Sequence, residues 1–287
     1  MTSGRMIRVM AFLSVLSGLL HSQDKVWVDF DREGQRLQEE GRYRSAEQYF
    51  LKAFQAAEAS LGPKDPNTVV IQHNLALNAA AQGKYTEAER LLRKTLSDLQ
   101  ASLGPGHPLV AENLNSLGSL YFRLRRFRDA EGVFERGLAI RDKAVPRDPI
   151  AVAISLNNLA STYLELEDYG KAEPMLRQVV ATFENTPSSE RARYATSCHN
   201  LGLLYYRHSA YQDAEFLLKR ALAIRENTLG PDHPLVALSL RSYAVVLRKT
   251  GRSAQAKPLE KRAMTIRKKH STENLIGLTV DVQSLRE

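Results

Sequence analysis

The chain has 287 residues, 43% hydrophobic and 25% charged, with a net charge of +8 at neutral pH. These proportions exclude a disordered or low-complexity protein and suit a soluble chain with a buried core. Its single cysteine, Cys198, excludes an intramolecular disulfide framework, while the length alone would accommodate two globular domains.

The first 22 residues carry Arg5 and Arg8 ahead of an uncharged, mostly apolar run from Val9 to Leu20. About 12 residues at ~1.5 Å each reach ~18 Å, short of the ~30 Å hydrocarbon core. Two readings stay open. Positive charge before a short apolar run favours a secretory signal peptide, and with it a secreted or periplasmic protein. The cleavage site is poor, because Ser22 is small but Leu20 is not. The alternative is a hydrophobic extension that stays in place on a cytoplasmic or membrane-associated protein. No cysteine near residue 20 supports a lipoprotein anchor, and no other apolar run is long enough for a transmembrane span.

From there the chain repeats itself. Ala46, Ala88, Ala130, Ala172, Ala214 and Ala256 stand 42 residues apart, and Glu follows the first five. A period held this long is the mark of stacked repeats. Twelve residues before each Ala is a small residue: Gly34, Ala76, Gly118, Ala160, Gly202 and Ala244. Leu precedes it in four copies and Tyr follows three residues later at Tyr121, Tyr163 and Tyr205, the spacing of one helix face. Between the two landmarks lies a break, at Gly41, Gly83 and Gly251 and at Arg125, Glu167 and Ser209. Each unit therefore reads as helix, tight turn, helix.

The joins "LGPKDP", "LGPGHP", "AVPRDP" and "LGPDHP" end one unit and open the next. Gly suits a helix C-terminus and Pro the first helical turn, which makes Asp65, His107, Asp148 and His233 expected capping residues. The join from Asn185 to Arg193 is looser.

These landmarks resemble the tetratricopeptide repeat, and the 42-residue period with "LGPDHP" resembles its kinesin light chain subtype, over Asp24 to Leu275. The resemblance implies an all-α, right-handed superhelical solenoid of about six helix-turn-helix repeats over residues 23–275, with residues 276–287 as a tail or cap. It also implies a protein-binding scaffold in which first helices line a concave groove for an extended peptide. In that family groove asparagines contact the peptide, a role carried over to Asn74, Asn158 and Asn200; Ser116, Ser242 and Arg32 depart from it.

The residues support a groove on their own terms. His73-Asn74, Asn115-Ser116, Asn157-Asn158, His199-Asn200 and Arg241-Ser242 all precede the packed Leu-small pair. Asn offers a peptide backbone both a donor and an acceptor. Candidate peptide-binding residues are thus Asn74, Asn115, Asn157, Asn158, His199, Asn200 and Arg241. Arg123, Arg207 and Lys249 stand two turns further along the same helices and would favour an acidic or carboxylate-bearing segment. The competing assignment makes the asparagines inter-helix hydrogen-bonding groups and the cations ordinary helix ends that favour the dipole. On the groove assignment, alanine at Asn158, Asn200 and Arg207 should leave helix packing nearly untouched.

No enzymatic motif occurs: there is no His-Glu-x-x-His, Cys-x-x-Cys, phosphate-binding loop or Gly-x-Ser-x-Gly. No cofactor or metal is implied, and an enzyme would need a constellation that spacing does not reveal. Cys198 occupies the position of Leu114, Leu156 and Leu240 and is expected to be a small core residue. Arg241 to Lys269 holds ten Lys and Arg against one acid, Glu260. Capping repeats are polar outside for solubility, but this segment also admits a second class of function, an accessory subunit docked through Lys261, Arg262 and Lys268 to an anionic surface or nucleic acid. The run lacks interleaved aromatics beyond Tyr243, which disfavours nucleic acid.

Overall fold

The computed structural model describes residues 26–184, 186 and 190–270. The proposed signal segment and the 276–287 tail lie outside the described residues. Among those residues are twelve α-helices and no strand: α1 (Val26–Glu39), α2 (Tyr43–Leu61), α3 (Pro66–Ala81), α4 (Tyr85–Leu103), α5 (Pro108–Arg123), α6 (Phe127–Lys143), α7 (Pro149–Glu165), α8 (Tyr169–Glu184), α9 (Arg191–Arg207), α10 (Tyr211–Leu229), α11 (Pro234–Lys249) and α12 (Ser253–His270). Odd-numbered helices are the first, and even-numbered the second, of each 42-residue unit.

The described residues fall into two compact units: 26–124 with 139–145, and 125–138 with 146–270. In the N-terminal unit α1 packs on α2, α2 on α3, α3 on α4 and α4 on α5; in the C-terminal unit the same succession runs from α7 to α12. First helices also touch one another, α1 with α3 and α3 with α5 in one unit, α7 with α9 and α9 with α11 in the other. They therefore make a continuous wall within each unit.

The landmark residues explain the packing. All six repeated alanines are 0% exposed. Four residues on, Phe50, Leu92, Phe134, Leu176 and Leu218 are buried as well, while the last unit carries Glu260 there. The small residue of the first helix makes room for this side chain: a Cβ on Gly34 would lie 2.7 Å from the Phe50 ring, and one on Gly202 would lie 2.9 Å from Leu218 Cγ. The repeated Glu reaches the following unit. Glu47 accepts hydrogen bonds from Gln82 and Lys84, Glu89 from Tyr121, and Glu215 from Tyr243 and Arg252.

The expected caps form. Asp65 accepts from the backbone N–H of Asn67, His107 Nδ1 from Leu109, Asp148 from Ile150 and Ala151, and His233 Nδ1 from Leu235. Each satisfies a donor left open at a helix N-terminus, and Pro66, Pro108, Pro149 and Pro234 open those helices.

The break between paired helices is a single left-handed residue. Gly41, Gly83 and Gly251 adopt φ of +75°, +78° and +79°, and Arg125, Glu167 and Ser209 are forced to +58°, +60° and +59°. A side chain in this region costs ~1–2 kcal/mol, partly offset because glycine is more flexible in the unfolded chain. Arg125→Gly, Glu167→Gly and Ser209→Gly should each stabilise the fold by about 0.5–1 kcal/mol, and Gly83→Ala should destabilise it; urea unfolding followed by circular dichroism measures both.

Candidate interaction surface on the first helices

A polar position recurs on the first helices, occupied by Asp31, His73, Asn115, Asn157, His199 and Arg241. Stacking lays the residue after it, one unit later, against it. Asn74 Nδ2 donates to Asp31 Oδ1 at 2.9 Å, Ser116 Oγ lies 3.3 Å from His73 Nε2, and Asn200 Nδ2 donates to Asn157 Oδ1 at 3.2 Å and to Ser161 Oγ at 3.1 Å. The first three contacts share a sequence separation of 43. Asn113 Nδ2 lies 3.0 Å from His73 Nδ1, so both nitrogens of that imidazole are engaged.

The predicted site residues thus divide. Asn200 is 4% exposed and Asn115 8%, both inside the wall. Asn74 and Asn157 are half-buried and bonded between repeats. Asn158 is half-buried, and its carbonyl accepts from Thr162. Arg123, Arg207 and Lys249 are exposed at the ends of α5, α9 and α11, and Arg241 is half-buried. The expectation that alanine at Asn200 leaves packing untouched is corrected, because Asn200 bridges two side chains of the preceding repeat.

His199 is 2% exposed and neither ring nitrogen has a hydrogen-bond partner; the residue that continues the register, Ser242, is 1% exposed and its hydroxyl is likewise unpartnered. Beside them Arg225, 1% exposed, donates to Ser239 Oγ, the Leu235 carbonyl and Thr196 Oγ1. Burial lowers its pKa to about 10. Cys198, fully buried on the same helix, has its thiol pushed up to about 11 by burial, as befits a core residue and not a nucleophile.

Sequence reasoning missed a pocket of about 230 Å³ in the N-terminal unit. Asp31, Gln35 and Gln38 reach it from α1, Asn67 and Asn74 from α3, and Glu112 from α5. Val70, Leu77 and Leu109 supply apolar wall, and Trp27 closes one side, packed on Ala53, Ala57 and Ile71. The signal was present in the repeat alignment, since Asp31 fills the polar position that His73 and Asn115 fill later. It was obscured because the first unit has Arg32 and Glu33 where later units have Asn or Ser and then Leu or Tyr.

A succession of helix pairs built on small-residue contacts, with first helices lining a wall in each unit, defines an all-α helical-repeat protein. The tetratricopeptide-repeat family profile matches residues 34–100, 70–143, 151–227 and 217–269, and the chain belongs to that family. It is similar to a solved structure of a Podosopora anserina kinesin light chain-type protein with nearly identical repeats, at 25% identity over 73% of this chain and 99% of that one, with a TM-score of 0.58. It is also similar to BtubC (BKLC) from P. vanneervenii, at 26% identity over 89% of this chain and 98% of that one, with a TM-score of 0.61. The Cut9-Hcn1 structure shares the fold, at 18% identity and a TM-score of 0.67 over 89% of this chain and 42% of that one. A search of curated proteins returned no match. Membership makes the chain a protein-interaction scaffold of this repeat class.

Two predictions follow from the wall. Asn200→Ala leaves Asn157 and Ser161 without their donor and should cost about 1–3 kcal/mol, whereas Asn158→Ala should change stability by less than about 0.5 kcal/mol in the same urea titration. The second concerns pH. Burial lowers the pKa of His73 from 6.5 to about 4 and that of His199 well below 6.5. The unfolded chain binds protons that the native state refuses, so this stability is complete above pH 6.5 and is lost as pH falls towards the folded pKa. Burial raises the pKa of Asp31, so its charged form weakens the fold and protonation relieves the penalty. Thermal melts from pH 7 to 4 should show falling stability, a flatter profile for His73→Gln and His199→Gln, and a steeper one for Asp31→Asn.

Proposed function

We propose that the protein is a non-catalytic adaptor that holds an extended peptide segment of a partner protein against the first-helix wall of each unit. The observation that carries this reading is the pocket on α1, α3 and α5, where half-buried amides of Asn67, Asn74 and Gln35 stand beside apolar side chains. A peptide needs that combination, since its backbone must keep its hydrogen bonds while its side chains leave water. In the C-terminal unit the exposed Arg207 and Lys249 support a carboxylate-bearing stretch. The acidic-ligand preference does not extend to the N-terminal pocket, whose charged lining is Asp31, Glu39 and Glu112. Export through the N-terminal segment is part of the proposal, and sequencing the N-terminus of the mature protein tests it.

A second reading rests on the terminal helix. Arg248 pairs with Glu260, Arg252 with Glu215, Arg262 with Glu226 and Lys269 with Asp232. Much of the local basic excess is therefore neutralised within the fold, and Arg262 is not the outward charge that the sequence suggested. Lys257 and Lys261 remain exposed beside Met264, which is 70% exposed. This stripe supports docking to an anionic surface.

Photo-crosslinking of the full chain separates the readings. A photoreactive residue replaces Leu77 or Asn158 on the wall, or Leu51, 45% exposed on second helix α2, and the chain is panned against random dodecapeptides. Crosslinks should form from Leu77 and Asn158 but not from Leu51, and should survive Lys257→Glu with Lys261→Glu. Crosslinks confined to Leu51, or abolished by the charge reversals, would reject the groove.

A further inference from the structure

We propose that the pocket of the N-terminal unit receives the Lys or Arg side chain of the bound segment. This deepens the groove reading and rests on it. The lining carries three carboxylates, Asp31, Glu39 and Glu112, and no Lys or Arg. His73, which also lines it, has both ring nitrogens engaged and stays neutral. Burial raises the pKa of Glu112 and the charge of Arg141 partly offsets it, while Asp31 and Glu39 have no cation of the lining beside them.

Asp31 is the centre of the site. It is 6% exposed, and its hydrogen bonds come from the neutral amides of Asn74 and Gln35. Two donors satisfy part of a carboxylate's capacity of about four lone-pair sites and leave the charge itself uncompensated. Such a group is costly to bury unless a cation joins it. Val70, Leu77 and Leu109 offer the apolar wall along which the methylene stem of a long basic side chain packs while its head meets the acid.

A second observation points the same way. Trp27 lines the pocket one helical turn before Asp31, is 7% exposed, and its indole N–H has no acceptor. A donor and an uncompensated carboxylate on successive turns match a basic residue of an extended peptide, with its main-chain carbonyl accepting from the indole and its side chain meeting Asp31. At about 230 Å³ the pocket falls below the ~300–1,000 Å³ of small-molecule sites, a size suited to one long side chain. Exposed Glu39 and Glu112 at the rim would draw a cation in.

Trp27 is the only tryptophan in the chain, so its fluorescence reports this pocket alone. The full chain is titrated with a blocked Ser-Val-Gly host peptide carrying Arg, Lys, norleucine or Glu at its centre. The Arg and Lys peptides should perturb Trp27 and bind at least about tenfold more tightly than norleucine, with Glu weakest and the preference shrinking as salt rises. Asp31→Asn, which keeps an acceptor for Asn74, should reduce Arg and Lys to the norleucine level. Glu39→Gln, on an exposed side chain, should weaken them about two- to fivefold without altering the melt.

Equal binding of all four peptides, preference for Glu, or indifference to Asp31→Asn overturns the inference. If Trp27 stays silent while the crosslinks from Leu77 and Asn158 form, the cationic pocket fails and the groove stands. Silence in both experiments rejects both. A Trp27 signal that changes with protein concentration, or with Arg5→Gln and Arg8→Gln in the absence of peptide, would make a second copy or the chain's own leader the occupant and would likewise overturn the proposal.

Discussion

Everything in this fold hangs on the contact at the repeated alanine of each second helix. At zero exposure, with Phe or Leu one turn away in the first five units, the paired helices approach so closely that a Cβ at Gly34 or Gly202 would meet Phe50 or Leu218. That contact fixes the rotation of each helix about its axis, and rotation decides which residues reach the inner wall. With the period held at 42 by the same alanines, one polar position is presented to that wall in every unit. The chemistry of the wall can then vary residue by residue without disturbing the packing that displays it.

How far this was legible follows from how local each cause is. The helix pairs, the Pro-opened first helices and their Asp and His caps are set within a few residues of sequence and could be read directly. The turn residue could be located, though its left-handed geometry is announced only where glycine occupies it. Arg125, Glu167 and Ser209 take it because the packed helices on either side leave no other path. The binding candidates were found by position, but their partners were not. Asn74 meets Asp31 and Asn200 meets Asn157 across 43 residues, a distance set by the stacking offset that no local pattern encodes. The pairing of the basic C-terminal segment is hidden for the same reason, since Arg252, Arg262 and Lys269 find their acids one repeat earlier.

The inter-repeat register also shows where the wall departs from its own rule. Asn74 with Asp31, Ser116 with His73 and Asn200 with Asn157 each form a hydrogen bond across the repeat boundary. His199 and Ser242 occupy the equivalent positions and do not. Arg225 enters at this place from α10 and engages Ser239 and Thr196 one turn away. A neutral histidine beside a buried guanidinium is self-consistent: desolvation opposes protonation of the ring, and the cation acts in the same direction. Beside His199 the C-terminal unit thus carries a buried cation held by neutral oxygens.

The N-terminal unit carries a buried charge of the opposite sign, Asp31, on its first-helix wall. Histidine, asparagine and arginine occupy the same place elsewhere, so nothing in the packing demands an acid at residue 31. An asparagine there could still accept from Asn74 without the penalty of burying a charge. A side chain that weakens the fold, where a neutral one would serve it equally well, is the kind of local inconsistency that concentrates at functional sites. At Asp31 the inconsistency coincides with a pocket, an orphaned indole donor and a lining free of Lys and Arg. A basic residue of a bound peptide answers both the acid and the donor, its cationic side chain meeting Asp31 and its main-chain carbonyl accepting from the indole.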